Sequence, residues 1–102
     1  MSSFNNSYDT LESIIFEGGL RIIGLHFHKD LDLMLIVLNN KKVLTRNISS
    51  IKKLKNATPE QLSNYNLISN GVGVHWPDVD EDLSLKGFLK EEISSVTVPM
   101  AS

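Results

Sequence analysis

The apolar positions change period several times along the chain, and each change marks an element. Leu11, Ile14 and Ile15 stand at i, i+3 and i+4, the spacing of one helical face, and Gly18-Gly19 stops that turn. Leu20–His28 is rich in strand formers. Strict alternation puts Arg21, Ile23, Leu25 and Phe27 on one face, and Leu20, Ile22, His26 and His28 on the other. Lys29-Asp30 suits a turn. Asp32–Leu38 is apolar at both parities, which predicts a central strand covered on both faces. Asn39-Asn40 tolerates the positive φ of a two-residue hairpin turn, and Lys41–Ile48 returns as a third strand. The three strands predict an antiparallel meander.

The middle of the chain reads as helical. Ser49 or Ser50 caps a short helix carrying Ile51 and Leu54. A stronger start signal follows at Thr58-Pro59-Glu60-Gln61. Thr58 is an N-cap, Pro59 fits the first helical position, Glu60 favours the positive end of the dipole and Gln61 completes a capping box. Ala57 and Leu62 form a small hydrophobic staple, and the helix is predicted to reach about Tyr65. Asn66–Ser69 and Val72–Trp76 read as short extended pieces around Asn70-Gly71, the second ended by Pro77. Asp78–Asp82 reads as an acidic connection. Ser84 then caps a helix that buries Leu85, Phe88, Leu89 and Ile93, and Val96–Val98 is a short apolar tail before Pro99.

The expected fold is therefore α+β. It has a three-stranded antiparallel meander, a helical middle, a short extended return and a C-terminal amphipathic helix packed on the sheet. Residues 1–19 form a partly disordered N-terminal extension, 20–93 a single domain and 94–102 a C-terminal tail. The length of 102 residues suits one domain.

Composition narrows the function classes. Ten Lys and Arg against twelve Asp and Glu leave a net charge of −2, too near zero to call for a nucleic-acid or membrane partner. The longest apolar run, Leu33–Leu38, is far below the ~20 residues of a membrane helix. With no cysteine there is no disulfide, thiolate metal site or Cys nucleophile. The polar start of the chain lacks the pattern of a secretory signal, so a cytoplasmic location is expected.

Several strings stand out in order. Leu54-Lys55-Asn56-Ala57-Thr58-Pro59-Glu60-Gln61-Leu62 comes first. Gly71-Val72-Gly73-Val74-His75-Trp76-Pro77, Asp80-Glu81-Asp82-Leu83-Ser84 and Gly87-Phe88-Leu89 follow. In that register they resemble the small bacterial proteins of domain of unknown function 2442, from Leu20 to Glu92. Thr58, Pro59, Gly71, Gly73, His75, Trp76, Pro77, Asp80, Glu81, Asp82 and Ser84 carry the likeness, and they read as a structural signature. The chain departs from the family at Ser50-Ile51-Lys52-Lys53, where an aromatic residue and Pro-Arg are usual. The resemblance implies a small cytoplasmic α+β protein without an assigned reaction. It also implies a protein partner, a small protein of domain of unknown function 4160 encoded alongside, in a toxin–antitoxin arrangement.

Candidate chemistry is sparse. His26 and His28 share a strand face about 7 Å apart, with Asp30 continuing it, but a metal site needs at least a third protein ligand. The plainer reading is a surface pair on a sheet edge. His75 beside Trp76 and Asp78 offers an acid–base pair. Adjacent strand residues face opposite ways, however, so Trp76 reads as a core anchor and His75 as bonded to the acidic loop. That loop lacks the central glycine and distal glutamate of a calcium site. No serine sits in a nucleophile elbow, and Gly71-x-Gly73 is too short for a phosphate loop. No cofactor is expected.

Charge is unevenly spread. Lys41, Lys42, Arg46, Lys52, Lys53 and Lys55 occur without an acid between them, and six acids follow between Asp78 and Glu92. The basic stretch is a candidate surface for a protein or nucleic-acid partner. Its meeting the acidic stretch across a homodimer interface is a further option. The leading expectation is a non-enzymatic protein-interaction module, antitoxin-like. The alternative is a nucleic-acid-binding regulator using the Lys41–Lys55 face, followed by a metal-dependent enzyme at His26 and His28.

Overall fold

The meander forms as the hydrophobic pattern predicts. In the computed structural model, which describes residues 9–97, β1 (Ile22–His28), β2 (Leu33–Leu38) and β3 (Val43–Asn47) pair antiparallel in the order β1-β2-β3. Met34, Ile36 and Leu38 of the central strand are buried. Leu33, Leu35 and Val37 are only half-buried, so the second face of β2 is less covered than expected.

The alternation in β1 breaks at a bulge. Ile22 stands opposite Leu38 while Gly24 stands opposite Val37, so one residue is extra on β1. Ile22 and Leu25 therefore both enter the core, and Ile23 is 59% exposed. This corrects the expected grouping of Ile23 with Leu25. The hairpin after β2 is also longer than expected. The N–H of Lys41 donates to Leu38 O at 3.1 Å, and that of Leu38 to Lys42 O at 2.9 Å. Lys41, not an asparagine, takes the left-handed conformation at φ 71°. This is a three-residue loop closed by a left-handed residue.

Asp32 leaves the expected strand. It is left-handed (φ 55°), and its carboxylate accepts from the Ser49 N–H at 2.8 Å and the Ser49 hydroxyl at 2.6 Å. The expected helix at Ser49–Leu54 is replaced by one 3₁₀ turn, Ile48–Ser50, and further turns. With Ser49 held by Asp32 and the Ser50 hydroxyl donating to Asn47 O, neither serine caps a helix. Ile48, Ile51 and Leu54 still reach the core.

The helix α2 (Pro59–Ser63) carries both bonds of its capping box. Thr58 Oγ1 accepts from the Gln61 N–H, and Gln61 Oε1 from the Thr58 N–H. It ends before Tyr65 because Asn64 turns out of helical geometry (φ −91°, ψ 70°). A second antiparallel sheet follows: β4 (Asn66–Ile68), β5 (Gly73–Trp76) and β6 (Glu81–Ser84). β6 corrects the expected acidic connection, since Glu81 pairs with Trp76 and Ser84 with Gly73. α3 (Leu85–Thr97) begins directly after it. Ser84 Oγ accepts the Gly87 N–H at 2.9 Å, as an N-cap does. Leu85 and Phe88 are buried, whereas Ile93 is 49% exposed and outside the expected buried face.

Ser94–Thr97 continue α3, and the rest of the expected tail lies outside the described residues, as do residues 1–8. Near the start, Asp9 caps α1 (Thr10–Glu12), which continues as a π-helical turn, Ser13–Glu17, stopped at Gly18-Gly19. Ile15 from this turn is 1% exposed and belongs to the core. Lys86 of α3 clamps the segment down, its Nζ 3.0 Å from Asp9 Oδ2 and 2.8 Å from Glu12 Oε2.

The two sheets meet at Gly71. Its carbonyl accepts the Ile22 N–H at 2.9 Å, its φ is 103°, and a Cβ there would lie 2.2 Å from Ile22 O. Gly71→Ala is expected to lower stability by about 2 kcal/mol or more, from backbone strain and the forced separation, read by urea denaturation.

The Lys86 clamp gives a second expectation. The Glu12 N–H bond and then Lys86 hold the Asp9 carboxyl below its ordinary value, while Glu12 and then Asp9 raise Lys86. A lowered carboxyl contributes above its ordinary 3.8 and loses that contribution as pH falls through the lowered value. A raised amine contributes below its ordinary 10.5 and loses it as pH rises through the raised value. Protection of the Ile15 and Gly18 amides, corrected for the intrinsic exchange rate, should therefore fall at both pH extremes. Lys86→Met should remove the alkaline fall and only lessen the acid one, because the Glu12 N–H bond to Asp9 remains.

Candidate functional site

Two elements of ordinary origin, the outer edge of β1 and the wall of α2, enclose a concavity. β1 is outermost in its sheet. The Leu25 N–H donates to Tyr65 Oη at 3.0 Å, and the Tyr65 hydroxyl lies 3.5 Å from Leu25 O. Leu25 thus turns its backbone groups away from β2. Directions alternate along a strand, and Phe27, opposite Met34, has the same parity as Leu25. The Phe27 N–H and C=O therefore also point outward, into the space beside α2.

That space is a groove of about 530 Å³. One side is Leu25–Asp30, and the other is Pro59, Leu62, Ser63 and Tyr65. A strand face presents alternate residues. Four consecutive residues of β1, Leu25 to His28, along one wall mean that the strand's edge lines it, and the turn residues Lys29 and Asp30 extend that wall. Below lie three aromatic rings, with centroids 6.3 Å apart for Phe27–Tyr65, 6.5 Å for Phe27–Trp76 and 6.4 Å for Tyr65–Trp76. Trp76 is fully buried, and its indole N–H donates to Leu62 O at 3.0 Å, which fixes α2 against the second sheet.

Of the residues singled out from sequence, His26, His28 and Asp30 lie in the β1 wall of the groove, Pro59 in the α2 wall, and the others lie elsewhere. His26 and His28 are exposed on the outer sheet face, opposite Leu35 and Leu33. Asp30 does not continue that face, because it sits in a 3₁₀ turn, Lys29–Leu31. Among the described residues no three His, Cys, Asp or Glu are placed to hold a metal ion. His75 Nδ1 lies 2.5 Å from Asp82 Oδ1, and Trp76 faces the core. Asn64 Nδ2 donates to Asp78 Oδ2 at 3.0 Å, tying α2 to the β5–β6 turn.

The six basic residues fall in three places. Lys41 and Lys42 lie at the β2–β3 hairpin. Lys52, Lys53 and Lys55 lie beyond the other end of β3, a strand about 16 Å long. Between them Arg46 turns over the Phe88 ring, 6.0 Å from its centroid, and its Nη2 donates to Ser50 Oγ at 3.2 Å. Lys53 Nζ donates to Asp80 O at 2.9 Å, so basic and acidic stretches meet there within one chain.

From sequence, Leu25, Phe27, Leu62 and Tyr65 read only as structural positions, and none of them, nor Ser63, is a candidate site residue. Their one local signal is Tyr65 placed just past a well-capped helix. No helix among the described residues is long and apolar enough to cross a membrane.

Comparison with known proteins adds a family and a fold. Residues 22–94 match the family model described as a protein of unknown function (DUF2442). No curated protein matches the chain. Two solved structures do. A protein of unknown function from Rhodospirillum rubrum is 24% identical with a TM-score of 0.62, over 71% of this chain and 87% of its own. The uncharacterized protein CV0863 from Chromobacterium violaceum is 22% identical with a TM-score of 0.65, over 100% of both chains. At these identities the likeness is one of fold.

Tyr65→Phe removes one hydroxyl and leaves the ring stack. Stability should fall by about 1 kcal/mol, the net value of one such bond, and the Leu25 amide should exchange faster in a hydrogen–deuterium measurement.

Proposed function

The chain belongs to the DUF2442 family of proteins of unknown function, and we propose that it is a non-enzymatic protein-interaction module that receives its partner in the β1–α2 groove. The observation that carries this reading is the groove's construction from a strand edge, an apolar floor and a short helical wall. Ligand sites are concave and mostly apolar, with a few polar groups placed for orientation. Here those polar groups include the outward backbone N–H and C=O of Phe27 beside the side chains of His26, His28, Lys29, Asp30 and Ser63, and a free backbone pair matches a polypeptide better than a small molecule. The partner we propose is the small protein of domain of unknown function 4160 that the family resemblance implies, with this chain acting antitoxin-like. The cysteine-free composition fits a meeting in the reducing cytoplasm.

Co-expression with that small protein tests the proposal. The native chain should co-purify with it and relieve any growth defect it causes. Ser63→Trp places a large ring on an exposed position of the groove wall. It should leave the melting temperature near native and reduce co-purification about tenfold or more. Capture unaffected by Ser63→Trp would move the docking surface elsewhere, and absence of capture by the native chain would remove this partner.

A further inference from the structure

We infer that what enters the groove is an extended segment of polypeptide that adds to β1 as a fourth strand, an inference that rests on the interaction reading above. The outward N–H and C=O of Phe27 are spaced to exchange two hydrogen bonds with one residue of an incoming strand. Strand addition of this kind draws affinity from main-chain bonds and specificity from alternate side chains. The Tyr65 hydroxyl already stands in for an incoming strand at the preceding outward position, bonding the Leu25 N–H and facing its C=O. It marks where the added strand must begin.

The groove sets the side-chain pattern. The residue opposite Phe27 shares its face and meets Leu62 and Tyr65, so it is apolar. Its two neighbours lie on the face of His26 and His28, with Lys29 at the end of the strand. The imidazoles of His26 and His28 and the Lys29 ammonium place three donor groups there beside the single carboxylate of Asp30, so a neighbour that accepts hydrogen bonds, an acidic one above all, is favoured. α2, Pro59–Ser63, stands along the edge on the far side of the groove. A second copy approaching edge to edge would bring its own α2 into the same space. The occupant is therefore a flexible segment and not the sheet of another copy.

A phage-displayed library of linear peptides about twelve residues long, enough to outreach the edge, provides the probe. Selection on the full chain should enrich segments with an apolar residue flanked by acids. The synthesised peptide should slow hydrogen exchange at the Phe27 amide. N-methylation of the peptide at its pairing residue should weaken binding about tenfold or more, as should Ser63→Trp. Val43→Lys, on the opposite edge strand, should leave binding unchanged. No enrichment over the Ser63→Trp chain, protection at amides away from β1, or indifference to N-methylation would each overturn strand addition. Self-association that Ser63→Trp abolishes would do so as well. Partner capture that remains sensitive to Ser63→Trp while the library yields nothing would leave the interaction reading standing and remove only the extended-strand geometry.

Discussion

The hydrogen bond from the Trp76 indole N–H to Leu62 O sets the relation of everything around it. A fully buried indole N–H left without an acceptor costs about 1–3 kcal/mol. The last carbonyls of a helix have no acceptor role within it, so α2 supplies one freely. That one bond joins β5 of the second sheet to α2. The same ring packs against Phe27 of β1 and against Tyr65, whose hydroxyl returns to the Leu25 N–H. The distance between the edge of β1 and α2, and hence the groove, is a consequence of where Trp76 sits.

Elements whose chemistry is local were readable in the sequence. The capping box at Thr58–Gln61 needs only its own four residues, and it is present with both bonds. The central position of β2 follows from its apolar run. Parity was not readable across β1, because alternation holds only while the ladder is unbroken. One inserted residue near Ile23 reverses which side chains face inward. Gly24 was the available signal, since a glycine inside a strand pattern marks a bulge. β6 was hidden for a different reason. Its sequence, Glu81-Asp82-Leu83-Ser84, carries one apolar side chain, so no alternation is visible. Its pairing is supplied from outside, by β5.

The candidate site was legible only in pieces. Tyr65 and Leu62 have no chemistry that draws attention in a one-dimensional reading. Their importance comes from meeting Leu25 and Trp76 across forty and fourteen residues. The conspicuous residues were absorbed into structure instead. Asp78 holds Asn64, Asp82 holds His75, and Asp80 offers its carbonyl to Lys53. The acidic string pins a hairpin in place.

Edges give the groove its meaning. A bare strand edge invites pairing, and proteins guard against it with charge, shortness or cover. β6 is guarded by Glu81 and Asp82. β3 is flanked by Lys41 and Lys42, and it turns Arg46 inward beneath α3. β4 is three residues long. β1 is treated differently. Its first half is closed by Gly71 and Tyr65, while the stretch around Phe27 carries neither a charge on its inward face nor a covering strand. It is screened only by α2 standing off across the groove. In the strand-addition proposal, the same wall that protects β1 from its own copies also selects what can reach it.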